Sequence, residues 1–345
     1  MHTFVVVPCL NEGRLIERTT QSLGFGANSP TVADDTKLVL VDNGSTDDTW
    51  MKISAVRDVV KSGAVIIARE EERGYVPPRH RGALIALEFA SKRRIPPEEV
   101  LVLQADADTI YEPGYVEAMR SAASTAGPNH IVEGGTHSPR RFLHDHPGFQ
   151  ELADLIDAQM EPHFVSESDD VVVDDKVAGY RLSDYLRWGG HRRDFMSTGA
   201  EVHAETTRLF IRARSYDARK VHVDDAWASP SRRKIQRNPI RHFATAGFPR
   251  ENTWWRAWNA RYSGPRTLGA FESPQGKIEL SPAIAMRRAH LLVLFTTIPT
   301  LVAASLKQEE PERGPRSPNE AAALRCLDEG QLGRFFEMLL PGPML

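Results

Sequence analysis

Short apolar runs rich in β-branched residues occupy positions 4–7, 37–41, 64–68 and 100–103. Each is too brief for a helix and reads as a strand buried on both faces, as in a parallel sheet. The intervals between them carry helical spacing. Residues 11–23 open on a polar cap with Glu12 in the first turn, residues 49–60 form a second helix, and residues 82–90 belong to a third. Strands alternating with helices predict βαβ units and an α/β fold. Further strands are expected at 131–135 and 220–223, and further helices at 149–160 and 201–214.

The pattern loosens over 138–193, which reads as an insertion in a first domain spanning 1–228. A mainly helical extension is expected over 229–345. Within it, the Pro-, Glu- and Arg-rich stretch 307–319 reads as a linker or exposed loop, followed by an amphipathic helix carrying Leu324, Leu327, Phe335 and Leu339. Trp254, Trp255 and Trp258 suit sugar stacking, a lipid interface or core packing. The longest apolar stretch, 291–306, is interrupted by Thr296, Thr297, Pro299 and Thr300 and falls short of the ~20 residues of a spanning helix. Arg287-Arg288 before it would permit peripheral contact with the inner face of a membrane. The N-terminus lacks the basic, apolar and cleavage segments of a signal peptide, so a cytoplasmic location is expected.

Composition removes several classes. A chain of 345 residues can bury a sizeable core, and its net charge of -3 argues against a nucleic-acid partner. Two cysteines, Cys9 and Cys326, are too few for a disulfide framework or a cysteine-based zinc site. No Gly-x-Ser-x-Gly or His-Glu-x-x-His motif is present.

Chemistry concentrates where strands end. The run 100–103 leads into Asp106-Ala107-Asp108, the only Asp-x-Asp in the chain. Ligands of open α/β sheets bind at the carboxyl ends of the strands. Two acids there suit Mg²⁺ or Mn²⁺, hard cations that take one or two carboxylates plus phosphate oxygens. After the first strand, Pro8, Asn11 and Glu12 offer a ribose or base contact beside a helix start. After the second, Asp42-Asn43-Gly44-Ser45-Thr46-Asp47 supplies a carboxylate for a nucleoside and a glycine for a tight turn, with Ser45 or Thr46 as a helix cap. Arg73, Arg79 and Arg81 put guanidinium groups at a helix start, where a diphosphate would bind.

In this order and spacing the pieces resemble family 2 glycosyltransferases of the GT-A fold, over roughly residues 3–125. The resemblance implies a mostly parallel sheet flanked by helices, a nucleotide-diphospho-sugar donor and inversion at the anomeric carbon. The acceptor would be a glycan, a lipid-linked or a small molecule. By carry-over, Asp42 and Glu12 would hold the nucleoside, Arg79 the base or diphosphate, Asp106 the ribose or donor sugar, and Asp108 the metal. His222 is a candidate third metal ligand. The Gln-x-x-Arg-Trp motif of processive synthases is absent, which implies a non-processive enzyme.

The second half departs from the family pattern. Ser197 to Ala200 is similar to its Gly-Ala acceptor segment, and residues 205–212 are similar to its Glu-Asp helix, yet the acid that serves as base is Thr206 here. A threonine cannot accept a proton at neutral pH. Glu205 or Glu201, four apart and on one helix face if the helix runs from 201, are the candidates to take the role. A catalytically silent homologue that binds nucleotide-sugar or glycan as a subunit is the alternative.

Overall fold

The computed structural model describes residues 1–26, 33–60, 63–195, 199, 201–247 and 253–306. They divide into two compact units. The first comprises Met1–His137, Val173–Arg193 and Glu205–Ser231; the second holds Ser138–Val172, Asp194–Ala204 and the chain from Arg232. The stretch expected as one insertion is therefore shared between them. Its first part joins the C-terminal helices, and its second part returns to the sheet.

All eight strands lie in the first unit: β1 His2–Cys9, β2 Thr36–Asp42, β3 Val65–Arg69, β4 Val100–Gln104, β5 Thr109–Tyr111, β6 His130–Thr136, β7 Ala178–Arg181 and β8 Arg219–Pro230. Their order is β3-β2-β1-β4-β7-β6-β8-β5. The first four in that order run parallel, β7 opposes both its neighbours, β6 and β8 run parallel, and β5 opposes β8. The sheet is mostly parallel, as expected. Strands β5 and β7 were not foreseen, because three or four residues are too few to show a period of two.

Val5, Val7, Leu38, Leu40, Leu101 and Leu103 are fully buried in the core of this unit. One helix start differs from expectation. The helix Val76–Arg93 begins six residues before Gly82, on Val76-Pro77-Pro78. Proline fits a helix's first turn, where its missing N–H has no partner to lose. Gly82 lets that helix lie close on β1, since a Cβ there would stand 2.2 Å from Val6 Cγ1.

The second unit is built from helices that include Pro147–Met160, Pro239–Ala244 and Ser281–Leu292. Phe149 packs its ring 4.8 Å from Phe271 and 5.9 Å from Phe243. Arg287 lies over Phe243 and forms a two-pronged ion pair with Asp157, at 2.7 and 2.6 Å. Trp255 is buried, with its ring 5.1 Å from that of the half-buried Trp258, so Trp255 packs inside this unit. The apolar stretch divides into Ser281–Leu292, a π-helical Val293–Thr297 and Ile298–Leu306. Among the described residues no helix is long and apolar enough to cross a membrane. The linker at 307–319 and the amphipathic helix beyond it lie outside the described residues, as do Cys326 and most of the segment Ser197 to Ala200.

Candidate active site

The turns after β1 and β2 are stitched to each other. Asn11 adopts a left-handed backbone, with φ of 57°. Its N–H donates to Ser45 Oγ at 3.0 Å, and its Oδ1 accepts from the Thr46 N–H at 2.8 Å. The Glu12 N–H donates to Thr49 Oγ1 and that of Gly13 to Asp47 Oδ2. Asp42 is buried and accepts from the Ser45 N–H at 3.3 Å. Asn43, also buried, ties in the exit of β3 by donating to the carbonyls of Glu70 and Glu72 and accepting from the Gly74 N–H. Gly44 has φ of 76° and gives its carbonyl to Arg73, whose guanidinium would lie 3.1 Å from any Cβ at that position. Pro8, Asn11, Glu12 and Asp42 thus line adjoining strand ends.

Beyond β4, the Asp-Ala-Asp turn is fixed by a buried tyrosine. The Asp106 N–H donates to Tyr111 Oη at 2.8 Å, and that hydroxyl donates to the carbonyl of Lys176 at 2.9 Å. Burial and the neighbouring Tyr115 and Asp106 push the Tyr111 phenol far up, so it stays neutral and keeps donating. The Asp108 carbonyl accepts from the Ser231 N–H. Asp106 is partly exposed and Asp108 buried. As a donor set, two carboxylates on one turn fit a hard divalent cation. Among the described residues no cluster of three His, Cys, Asp or Glu side chains forms a ready-made metal cage.

His222 does not join them. It sits on β8 opposite Glu133, eight residues before Pro230, the residue paired with Thr109. Residues 224–226 bulge out between the Val223 and Trp227 pairings, which leaves five register steps, at about 3.3 Å each a separation on the order of 17 Å. Strand length is the reason the sequence reading misplaced it.

Arg79 departs most from expectation. It is 6% exposed, and its donors are already engaged by the protein. Nε donates to Glu205 Oε1 at 2.7 Å, Nη2 to Asp106 Oδ1 at 2.7 Å, and Nη1 to the Asp175 carbonyl at 3.4 Å. Burial opposes its charge, but Asp106, Glu205 and Asp175 outweigh that and hold it protonated. The fork geometry of a guanidinium lets one side chain clamp two carboxylates. Arg79 therefore organises acids where a diphosphate contact was expected.

Neither expected base is presented as foreseen. The helix begins at Glu205, not at residue 201, and Ala204 immediately before it has φ of 62°. Glu201 lies off the helix in an isolated bridge with Phe195, so the two glutamates share no face. Glu205 is 4% exposed and committed to Arg79. Thr206 is fully buried, its hydroxyl paired with the Gln104 amide at 2.9 Å.

A residue that sequence reasoning passed over stands beside them. Asp175 Oδ1 accepts from the Thr206 N–H at 3.1 Å. Its carboxyl is lifted to about 7, first by burial and then by Glu205, with Arg79 opposing. The signal was present: Val171-Val172-Val173 runs into Asp174-Asp175 just as β4 runs into Asp106.

Residues 4–150 match the family model described as glycosyl transferase family 2. No curated protein matches the chain. Among solved structures, the S. aureus TarS 1–349 fragment is 14% identical over 98% of this chain and 90% of its own, with a TM-score of 0.44. The mannosyltransferase PcManGT of Pyrobaculum calidifontis, in complex with GDP-Man and Mn²⁺, is 17% identical over 98% and 85%, with a TM-score of 0.48. Glucosyl-3-phosphoglycerate synthase from Mycobacterium tuberculosis is 16% identical over 67% and 72%, with a TM-score of 0.39. The matched stretch, residues 4–150, holds the Asn-Glu turn, the Asp-Asn-Gly-Ser-Thr-Asp turn, Arg79 with Gly82 and the Asp-Ala-Asp turn, and it is this part of the chain that is similar to glycosyl transferase family 2.

Proposed function

We propose that the protein transfers a sugar from a nucleotide-diphospho-sugar to an acceptor hydroxyl, with inversion, in a divalent-metal-dependent and non-processive reaction. One observation carries the reading: adjoining ends of β1, β2 and β4 bring Asn11, Asp42, Asp106 and Asp108 to one rim, the side of a parallel sheet where ligands bind. Asp42, with Glu12, Asn11 and Pro8 beside it, is the natural partner for a ribose or base. Asp106 faces the ribose or donor sugar. Asp108, with Asp106, would hold Mg²⁺ or Mn²⁺, which when bound neutralises the leaving diphosphate. Arg79 fixes the positions of Asp106 and Glu205, and Glu205 acts as a positioning residue for Arg79. The acceptor is a glycan, a lipid-linked or a small molecule, and the location is cytoplasmic; of the pair Arg287-Arg288 only the exposed Arg288 could meet the inner face of a membrane, since Arg287 is buried against Asp157.

A second reading, a silent homologue that binds nucleotide-sugar as a subunit, is favoured by one observation: Thr206 is buried against Gln104 where the family carries an acid. Thermal shift with UDP, GDP and their sugars, with and without Mn²⁺, tests the first step. A ligand at a hundredfold excess over its dissociation constant adds about 2.7 kcal/mol of apparent stability. Asp108→Asn should abolish the metal-dependent part of the shift and leave the unliganded melting temperature near that of the wild type. A shift that survives in Asp108→Asn would refute its role as metal ligand. Metal-dependent release of nucleoside diphosphate separates the enzyme from the silent subunit.

A further inference from the structure

We infer that Asp175 is the group that takes the acceptor's proton, in place of the acid that the helix Glu205–Arg214 lacks at Thr206. The inference rests on the glycosyl-transfer reading above and deepens it.

The segment around Asp175 is held at every residue. Val173 exchanges hydrogen bonds with the Thr207 hydroxyl, at 3.0 and 3.1 Å. The Asp174 N–H donates to Glu133 Oε1 at 2.6 Å, and the Val177 carbonyl accepts from the Gly134 N–H at 2.8 Å. The carbonyls of Asp175 and Lys176 accept from Arg79 and from Tyr111. Preorganisation of this kind is what a proton-transfer group requires, because a misplacement of about 1 Å costs on the order of a hundredfold in rate.

The three carboxylates around Arg79 differ in what is left for chemistry. Glu205 and Asp106 each give an oxygen directly to the guanidinium. The Asp175 carboxylate does not. Its Oδ1 rests on the Thr206 N–H, at the start of the helix that lacks the acid. The residue as a whole is part-buried. Burial and then Glu205 raise its carboxyl, Arg79 and the Thr206 side chain lower it, Asp106 raises it further, and the balance leaves it near neutrality, where general bases work best.

In the step assigned to it, the acceptor hydroxyl gives its proton to Asp175 Oδ2 and its oxygen bonds to the anomeric carbon. The bond from that carbon to the diphosphate oxygen breaks, and the electron pair leaves with the nucleoside diphosphate. Proton and charge balance without a further reactant.

The test uses the full chain with Mn²⁺ and UDP-glucose, UDP-N-acetylglucosamine or GDP-mannose, with water as acceptor. Nucleoside diphosphate release and, by calorimetry, nucleotide affinity are measured. Asp175→Asn should lower release by about 100-fold or more while affinity stays within about threefold. Wild-type release should rise with pH along a one-proton limb near pH 7, and Asp175→Asn should lack that limb. Added formate should restore release in Asp175→Ala, which a merely structural role would not allow. Release by Asp175→Asn within about threefold of wild type, or a loss with the pH limb intact and no formate rescue, overturns the assignment. A wild-type chain that binds none of these nucleotides instead defeats the glycosyl-transfer reading. One that binds them and releases nothing supports the silent homologue, and the assignment falls with the activity.

Discussion

Replacing Arg79 with methionine removes the one cation shared by Glu205, Asp106 and Asp175. The side chain is almost wholly buried and satisfies two carboxylates at 2.7 Å and a backbone carbonyl. Methionine keeps the bulk but leaves the acids facing one another in a poorly solvated site. Breaking a buried ion pair from one side costs about 3–5 kcal/mol. For a domain of this size each kcal/mol lowers the melting temperature by about 2–4 °C, so a fall on the order of 10 °C is expected at pH 8. The deficit should depend on pH with a fixed sign. Without the guanidinium, which opposes burial and Glu205 at Asp175, the Asp175 carboxyl is raised further in the folded state. Its protonated form is favoured by folding, so stability is recovered as pH falls toward the ordinary carboxylate range and is lost again as it rises. Urea unfolding of wild type and Arg79→Met at pH 8 and pH 5 measures both. A cost under about 1 kcal/mol, or one equal at the two pH values, would refute the shared-cation account. Arg79→Lys should recover only part of the loss, because an ammonium cannot present the same fork.

Three further outcomes follow from the same geometry. Asp175→Asn should melt above wild type at pH 8, since burial and Glu205 raise its carboxyl to about 7 and neutralising it relieves that cost; the gain should vanish below the ordinary Asp value, near pH 4. Thr206→Val should cost about 1–3 kcal/mol by leaving the Gln104 amide unpaired, with donor turnover changed little, measured by melting and nucleoside diphosphate release. Gly82→Ala should cost about 1–3 kcal/mol, read by denaturant titration, because its Cβ would stand 2.2 Å from Val6 and push the helix off β1.

The local order of the chain was legible because each element needs only its own residues. Apolar runs at β1, β2 and β4 bury both faces of a parallel strand and announce themselves without reference to the rest of the chain. The turns at Asn11, Asp42 and Asp106 follow directly from those strands, so the rim of the site could be read in the same way. Val76-Pro77-Pro78 hid only the start of the helix that runs to Arg93, and brevity hid β5 and β7, since neither leaves a periodic trace.

Tertiary structure alone decided the roles of the charged residues. Arg79 and Glu205 are 126 positions apart, and Asp175 meets Thr206 across 31. Whether an arginine greets a phosphate or a buried carboxylate depends on which acids the fold carries to it, and sequence spacing does not encode that distance. The same holds for His222, which β8 carries away from the acidic turn. A short-range pattern fixes where backbone groups pair, whereas the cost of burying a charge is settled only when the long-range partners arrive.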